Sequence, residues 1–189
     1  MTNAVITGDL LMENVMILKN YQVGMKVGGD LIQEGMEVGS NGQSGMNVGR
    51  NNRQQKMKIK HGNWQDDMKV RGNSNQSGMK VGGRNAQIRM EVGGDNIQEG
   101  MDVESNSQWE MKVGRNNRQQ KMKIKYYNYQ EGIKVEGNNN QNGMRIGYDN
   151  DQRRMQIGLD SNQEGMRVGG DNRQYNIKVG GDSNQEDLI

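Results

Sequence analysis

The chain has 189 residues, of which 31% are hydrophobic and 4% aromatic. It contains no Phe, Pro or Cys, and its mean hydropathy is −1.07. So few apolar residues exclude an ordinary globular domain, and the absence of cysteine excludes disulfides and thiolate metal sites. The 25 basic and 23 acidic residues leave a net charge of +2, so neither nucleic acid nor another polyanion is an expected partner.

Residues 1–24 form the first predicted region. They contain degenerate copies of the repeat that fills the rest of the chain, with Val15 and Ile17 as one apolar pair and Val5 as a weaker one. Because this region is rich in Leu, Ile and Val, we expect it to cap the amino-terminal end. It lacks a basic segment followed by an apolar stretch, the pattern of a secretory signal. No segment of the chain reaches the ~18 consecutive apolar residues of a membrane span. A cytoplasmic location is the default prediction, with export by a non-standard route as the alternative.

Residues 25–189 form an unbroken array of 11-residue repeats. Each repeat has an apolar anchor residue, and Val or Ile follows two residues later in all fifteen repeats that can be tested. The interval between successive anchors equals the repeat length, except for two intervals that are one residue shorter, 36–46 and 101–111. With the amino-terminal copies there are about eighteen repeats, of approximate sequence N-x-Q-x-G-M-x-V-G-G-D. The anchors are Met25, Met36, Met46, Met57, Met68, Met79, Met90, Met101, Met111, Met122, Ile133, Met144, Met155, Met166, Ile177 and Leu188.

A longer period is superimposed on the short one. Residues 25–89 and 90–154 align without gaps and are identical at 42 of 65 positions, and residues 155–189 begin a third copy. Each complete block carries one of the shortened intervals at the same place. The array therefore grew by duplication of a block of six repeats.

The residue types in the repeat favour an all-β fold. An 11-residue period also suits a right-handed helical coiled coil, but a glycine in every repeat would cost a helix ~1 kcal/mol each relative to alanine. Short Met-x-Val segments between Gly- and Asn-rich segments are typical of strands and turns. We therefore predict a β-solenoid with two repeats in each rung (one complete turn of the coil), with three repeats per rung as the alternative.

Alternation along the strands predicts which side chains point inward. Asn and Gln, two residues apart, share one face of a strand, as do Met and Val. The spacing of three between Gln and Met changes the parity, so a bend with a residue at positive φ is expected between them, and Gly fills that place in eight repeats. Inward amides can then hydrogen-bond to the next rung. The predicted core ladder comprises Gln22, Gln33, Gln43, Gln54, Gln65, Gln76, Gln87, Gln98, Gln108, Gln119, Gln130, Gln141, Gln152, Gln163, Gln174 and Gln185.

No catalytic, cofactor-binding or metal site is predicted. The recurrent Asp of the turns, at positions 30, 95, 160, 171 and 182, is compatible with calcium. Calcium needs six to eight oxygen ligands, and Asp is favoured in turns for its own hydrogen bonds. The segment Arg50–Lys60 is locally basic and Trp64 follows it, but a solvated outer face is the preferred interpretation. Near-identical stacked rungs do not provide the convergent, unlike groups that catalysis requires, so we do not expect an enzyme.

The repeat resembles two families of stacking sequences. Its inward Gln and Asn and its Gly turns resemble curlin repeats, the ~22-residue rungs of bacterial functional amyloid. Its Met-x-Val or Ile-Gly segments, as in MQIGLDSNQ at 155–163, MRIGYDNDQ at 144–152 and MNVGRNNRQ at 46–54, resemble the RIP homotypic interaction motif and related fungal prion motifs. Both resemblances imply stacking of like on like.

These features together predict a non-enzymatic structural protein that stacks end to end on copies of itself, as filaments or amyloid-like fibres. The repeat continues to the last residues, so the expected self-association edge comprises Ile177, Val179 and Leu188. Two alternatives stay open: a monomeric module whose basic faces bind an acidic partner or a polysaccharide, and a cytosolic signalling scaffold. No membrane partner is expected.

Overall fold

The computed structural model describes residues 1–186, and within that range all thirty elements are β-strands. The chain winds into a β-solenoid of about eight rungs. Every strand pairs in parallel with strands one rung away, as where Val48 lies between Val27 and Val70. Hydrogen-bonded equivalents are 21 or 22 residues apart, so two repeats make one rung. The prediction of two repeats per rung is confirmed, and the three-repeat alternative is wrong.

Each rung has four faces, which we number in chain order. The first face is a sheet of two-residue strands from Met-x-Val segments, and the second is a sheet of four-residue strands from Asn-x-Gln-x segments. The first face comprises β1 (Val5–Ile6), β4 (Lys26–Val27), β7 (Asn47–Val48), β11 (Lys69–Val70), β14 (Glu91–Val92), β17 (Lys112–Val113), β21 (Lys134–Val135), β25 (Gln156–Ile157) and β29 (Lys178–Val179). The second face comprises β2 (Leu10–Glu13), β5 (Leu31–Glu34), β8 (Asn52–Gln55), β12 (Ser74–Ser77), β15 (Asn96–Glu99), β18 (Asn117–Gln120), β22 (Asn139–Asn142), β26 (Ser161–Glu164) and β30 (Ser183–Glu186).

The third and fourth faces share one sheet of twelve strands, because some strands run through the corner between them. Four long strands cover both faces: β3 (Met16–Val23), β6 (Glu37–Ser44), β13 (Lys80–Ile88) and β16 (Asp102–Trp109). The third face alone contains β9 (Lys58–Ile59), β19 (Lys123–Ile124), β23 (Arg145–Ile146) and β27 (Arg167–Val168). The fourth face alone contains β10 (Asn63–Asp66), β20 (Asn128–Glu131), β24 (Asn150–Arg153) and β28 (Asn172–Tyr175).

The two shortened intervals account for two of the long strands. In β6 and β16 the shortened repeat leaves two residues at the corner, such as Gly39 and Ser40, and the strand continues through it. A full repeat has a third corner residue, and the strand usually breaks there, as between β9 and β10. In β13 the extra residue is accommodated by a register shift between Val81 and Arg84 against β16.

The bend before each anchor has the predicted conformation. All eight predicted glycines, among them Gly24 and Gly132, have positive φ between 58° and 65°. Nine further bends use other residues at φ near 50°, including Lys121 and Glu110. Because a left-handed conformation costs an L-residue roughly 1–2 kcal/mol, packing of the rungs imposes the bend where glycine does not supply it.

The core combines apolar columns with amide ladders. The Met and Val side chains form two separate columns, one behind the first face and one behind the third, with the glutamines between them. The cross-section therefore has an amide centre between two apolar lobes, because the long second and fourth faces oppose each other and both direct Gln inward.

The amino-terminal rung is more apolar than the others. Ile6 and Leu10 pack against the column behind the first face, and Met12 and Ile17 against the other. The segment Met1–Asn3 lies along the outer edge of β3, where Thr2 bridges Val23 and the Asn3 amide donates to the Val23 carbonyl at 2.8 Å. These residues occupy the region predicted as a cap.

Candidate functional site

The sixteen predicted core glutamines form two columns, one from the second face and one from the fourth, that meet at the centre of the solenoid. Gln119 shows the pattern: its Nε2 donates to the Oε1 atoms of Gln98 and Gln108 at 3.2 and 2.9 Å. Its Oε1 accepts from Gln130 at 2.6 Å and Gln141 at 3.3 Å. Bonds along a column link successive rungs, while bonds between columns link opposite faces. The centre is thus one continuous amide network rather than independent stacks.

Exposure of these glutamines depends only on their place in the array. All from Gln22 to Gln163 are buried, Gln174 is half-buried and Gln185 is exposed. The last two belong to the final rungs described, and no later rung among residues 1–186 covers them.

A second ladder runs behind the fourth face. Each asparagine Nδ2 donates to the Oδ1 of its equivalent in the next rung, at 2.6–3.0 Å. In this ladder each asparagine donates to its equivalent in the following rung. In the glutamine columns each glutamine donates to its equivalent in the preceding rung. It is uninterrupted and comprises Asn20, Asn41, Asn63, Asn85, Asn106, Asn128, Asn150 and Asn172.

The equivalent column behind the second face is incomplete. Leu31 and Ser74 occupy positions on either side of Asn52, and both polar atoms of the buried Asn52 side chain lack a hydrogen-bond partner within the described structure. The Oδ1 of Asn96, on the other side of Ser74, is also unsatisfied. The two halves of a rung therefore differ in the completeness of their asparagine ladders although they share one repeat.

We expect Ser74→Asn to stabilise the fold by about 1–2 kcal/mol, because it can accept from Asn52 and donate to Asn96. Urea denaturation would measure the gain. The control is Ser77→Asn in the same strand, which points outward and should change the free energy of unfolding by no more than a few tenths of a kcal/mol. Equal effects of the two substitutions would contradict the ladder assignment.

A further ladder, which the sequence did not reveal, lies at the corner between the first and second faces. In each rung a side-chain Oδ1 accepts a hydrogen bond from the backbone N–H of the equivalent residue one rung later. For example, the Asp30 N–H donates to the Asp9 Oδ1 at 2.8 Å. This hydrogen bond, with the nearby Arg50 guanidinium, lowers the pKa of the exposed Asp9 carboxyl. The column comprises Asp9, Asp30, Asn51, Asn73, Asp95, Asn116, Asn138, Asp160 and Asp182, so four of the five turn aspartates belong to it.

The fifth turn aspartate, Asp171, makes the same contact at the opposite corner, where its N–H donates to Asp149 at 3.0 Å. Across residues 1–186, no group of three or more acidic or histidine side chains converges to hold a metal ion. The turn aspartates therefore have a structural contact that accounts for their recurrence.

The basic segment Arg50–Lys60 is divided among several faces. Arg50 lies at the first corner, Arg53 on the second face, Lys58 on the third and Lys60 at the corner that follows. Arg50, Lys56 and Lys58 form ion pairs with carboxylates of earlier rungs at 2.5–3.2 Å. The segment does not form one basic surface.

At both limits of the described residues, strand edges have no neighbouring strand. Within residues 1–186, β28, β29 and β30 at one end and β1 and β2 at the other each pair on one side only. Ile177 and Val179 of the predicted edge are partly buried against the first apolar column, and Leu188 lies outside the described residues. Comparison with protein-family models, curated proteins and solved structures gives no match. The part of the chain described has no helix that could cross a lipid bilayer.

Proposed function

We propose that this is a non-enzymatic structural protein whose solenoid stacks end to end on further copies of itself into filaments. The observation that carries the proposal is the one-sided pairing, within residues 1–186, of β28, β29 and β30 and of β1 and β2, in a coil whose strands all stack in parallel. Open strand edges have unpaired backbone N–H and C=O groups and are templates for another chain. The curlin-like and interaction-motif-like character of the repeat supports the same conclusion.

The two ends are compatible in register. If a second copy continues the coil, β1 of that copy lies on β29 and β2 on β30. This arrangement stacks Ile6 on Val179 and Met12 on Gln185, with outward residues remaining outward. Parallel pairing continues without reversal of the chain, so assembly is head to tail.

The first test uses the double substitution Ile177→Lys and Val179→Lys. Two buried charges cost several kcal/mol, and damage in a linear array remains local. We expect the wild type to sediment as large, concentration-dependent species and the double variant as a folded monomer. Lys178→Gln, which alters an exposed residue in the same strand, is the control and should assemble normally. A wild type that is monomeric at high micromolar concentration would refute the proposal.

A mixing experiment tests the polarity of assembly. Ile6→Lys should block the amino-terminal end in the same way. Each blocked variant alone should be monomeric, whereas an equimolar mixture should form heterodimers and nothing larger, because one open edge of each kind remains. Homodimers of either variant would show that like ends join, contrary to head-to-tail stacking.

A further inference from the structure

Three cations are stacked on the third face in consecutive rungs. Lys123 lies beside Arg145, and Arg145 beside Arg167, in adjacent parallel strands. All three are exposed, and among residues 1–186 none has a carboxylate within 4.0 Å. Like charges directly opposite each other destabilise a sheet. We call these residues the cationic column; it is a surface that an anionic ligand would stabilise.

A tyrosine cluster lies beside this column, at the corner leading into the fourth face. The rings of Tyr126 and Tyr148, one rung apart, are stacked with centroids 5.8 Å apart, and Tyr127 lies 6.1 Å from Tyr148. The Lys125 ammonium is 4.9 Å from the Tyr126 centroid. Interaction with the Tyr126 side chain raises the pKa of Lys125.

Aromatic residues are confined to this side of the molecule. All eight lie on the fourth face or its leading corner, at Tyr21, Trp64, Trp109, Tyr126, Tyr127, Tyr129, Tyr148 and Tyr175. Beside the tyrosine cluster is an open groove of about 690 Å³, lined by the cationic column, Lys125 and the apolar floor of the third face. Asp102, in the preceding rung, marks where the cationic surface ends.

The internal duplication provides a comparison within the chain. Lys58, the equivalent of Lys123 in the first block, is paired with Glu37 at 3.2 Å. In the second block Asp102 stands in place of Glu37, and its side chain is one methylene shorter. Lys123 forms no ion pair with a carboxylate among the described residues. The tyrosines Tyr126, Tyr127 and Tyr148 replace His61, Gly62 and Gly83 of the first block. At this corner the second block therefore differs from the first by one cation, Lys123, without an ion pair among the described residues, and by three aromatic rings.

The spacing indicates the class of ligand. The cations repeat once per rung, at roughly 4.8 Å along the axis, which is close to the rise of one sugar in an extended glycan. Aromatic rings also provide flat surfaces on which sugar rings stack. We propose that this groove binds a linear acidic polysaccharide, with one carboxylate per sugar, running along the solenoid axis. The cations would contact those carboxylates that point towards the groove, and the tyrosines would contact the sugar faces. The site does not depend on filament formation.

The proposal is tested by titrating the full-length protein with a hexameric oligogalacturonate in a calorimeter. We expect saturable binding that weakens as salt is added and no binding of a neutral cello-oligosaccharide of equal length. The same affinity is expected for the assembly-blocked Ile177→Lys, Val179→Lys variant. A single-stranded oligothymidylate is a separate probe, because basic grooves with aromatic residues also bind nucleic acid. Binding of the oligothymidylate in place of the uronate would overturn the proposal.

Variants separate the contribution of the rings from that of charge. Tyr126→His, Tyr127→Gly and Tyr148→Gly together restore the residues that the first block carries at these positions, so the fold should survive. Arg145→Gln with Arg167→Gln removes two charges. Each set should weaken binding about tenfold or more. Lys112→Gln with Lys134→Gln removes the same charge from adjacent strands of the first face, distant from the tyrosines, and should leave the affinity within about twofold. Equal affinities for all variants, or no binding by the wild type, would refute the site.

Discussion

Gln119→Ala is expected to lower the free energy of unfolding by about 3 kcal/mol or more. The substitution removes four side-chain hydrogen bonds and leaves buried amide atoms of Gln98, Gln108 and Gln130 without partners. Gln141 keeps its hydrogen bond to Gln130. It also creates a cavity in the middle of the amide network. Denaturation in urea, followed by circular dichroism, measures the effect.

The matched control is the adjacent residue of the same strand. Gln120 points outward in β18, and Gln120→Ala should change the stability by less than about 0.5 kcal/mol. The two substitutions delete the same atoms and differ only in the direction of the side chain. If they were equally tolerated, the central amide network would not stabilise the fold as argued.

Val113→Lys is expected to cost several kcal/mol, because it places an ammonium in the apolar column behind the first face. The loss of structure should remain local, because each rung contacts only the rungs next to it. Hydrogen exchange should show loss of protection around β17, with protection retained in rungs near the amino terminus. The penalty should decrease as the pH approaches about 10.4, the ordinary pKa of lysine, since the buried amine is tolerated in its neutral form.

The neighbouring Lys112 serves as the inverse control. Lys112 is exposed on the outer side of the same two-residue strand, so Lys112→Val should change the stability little. Uniform loss of protection along the whole array in Val113→Lys would show that the rungs unfold as one unit, contrary to local damage.

Much of the fold follows from the sequence because the repeat is strict. The alternation of Met111 and Val113, and the spacing that requires a bend at Gly132, determine which side chains face inward. Two repeats per rung could be predicted because one repeat is too short to enclose a core. The cross-section could not, since the sequence does not show which pairs of faces oppose each other across the centre.

The columns were harder to predict than the repeat. Asp30 stacks on Asn51, two repeats later, because each rung contains two repeats. With one repeat per rung, Asp30 would stack on the equivalent residue of the next repeat. The sequence analysis therefore treated the five turn aspartates as one set, although they lie at two different corners of the rung. The interruption of the second-face ladder at Ser74, and the approach of Tyr148 to Tyr126, likewise depend on which repeats lie one rung apart. Whether the ends associate depends on contacts between molecules, and it stays a prediction.

The short sequence separation between hydrogen-bonded equivalents also has a kinetic consequence. The side-chain hydrogen bonds described above reach no further than two rungs, as between Arg50 and Asp9. No part of the chain therefore depends on a segment distant in sequence to form its contacts. The slow step is closure of the first pair of neighbouring rungs, which must overcome loop entropy before parallel pairing offsets it. Each later rung pairs with an existing strand edge, and the opposing term is only the conformational entropy lost in ordering one more rung. Folding should therefore proceed as a zipper from a single nucleus, and it can begin on the ribosome while the later repeats are still being synthesised.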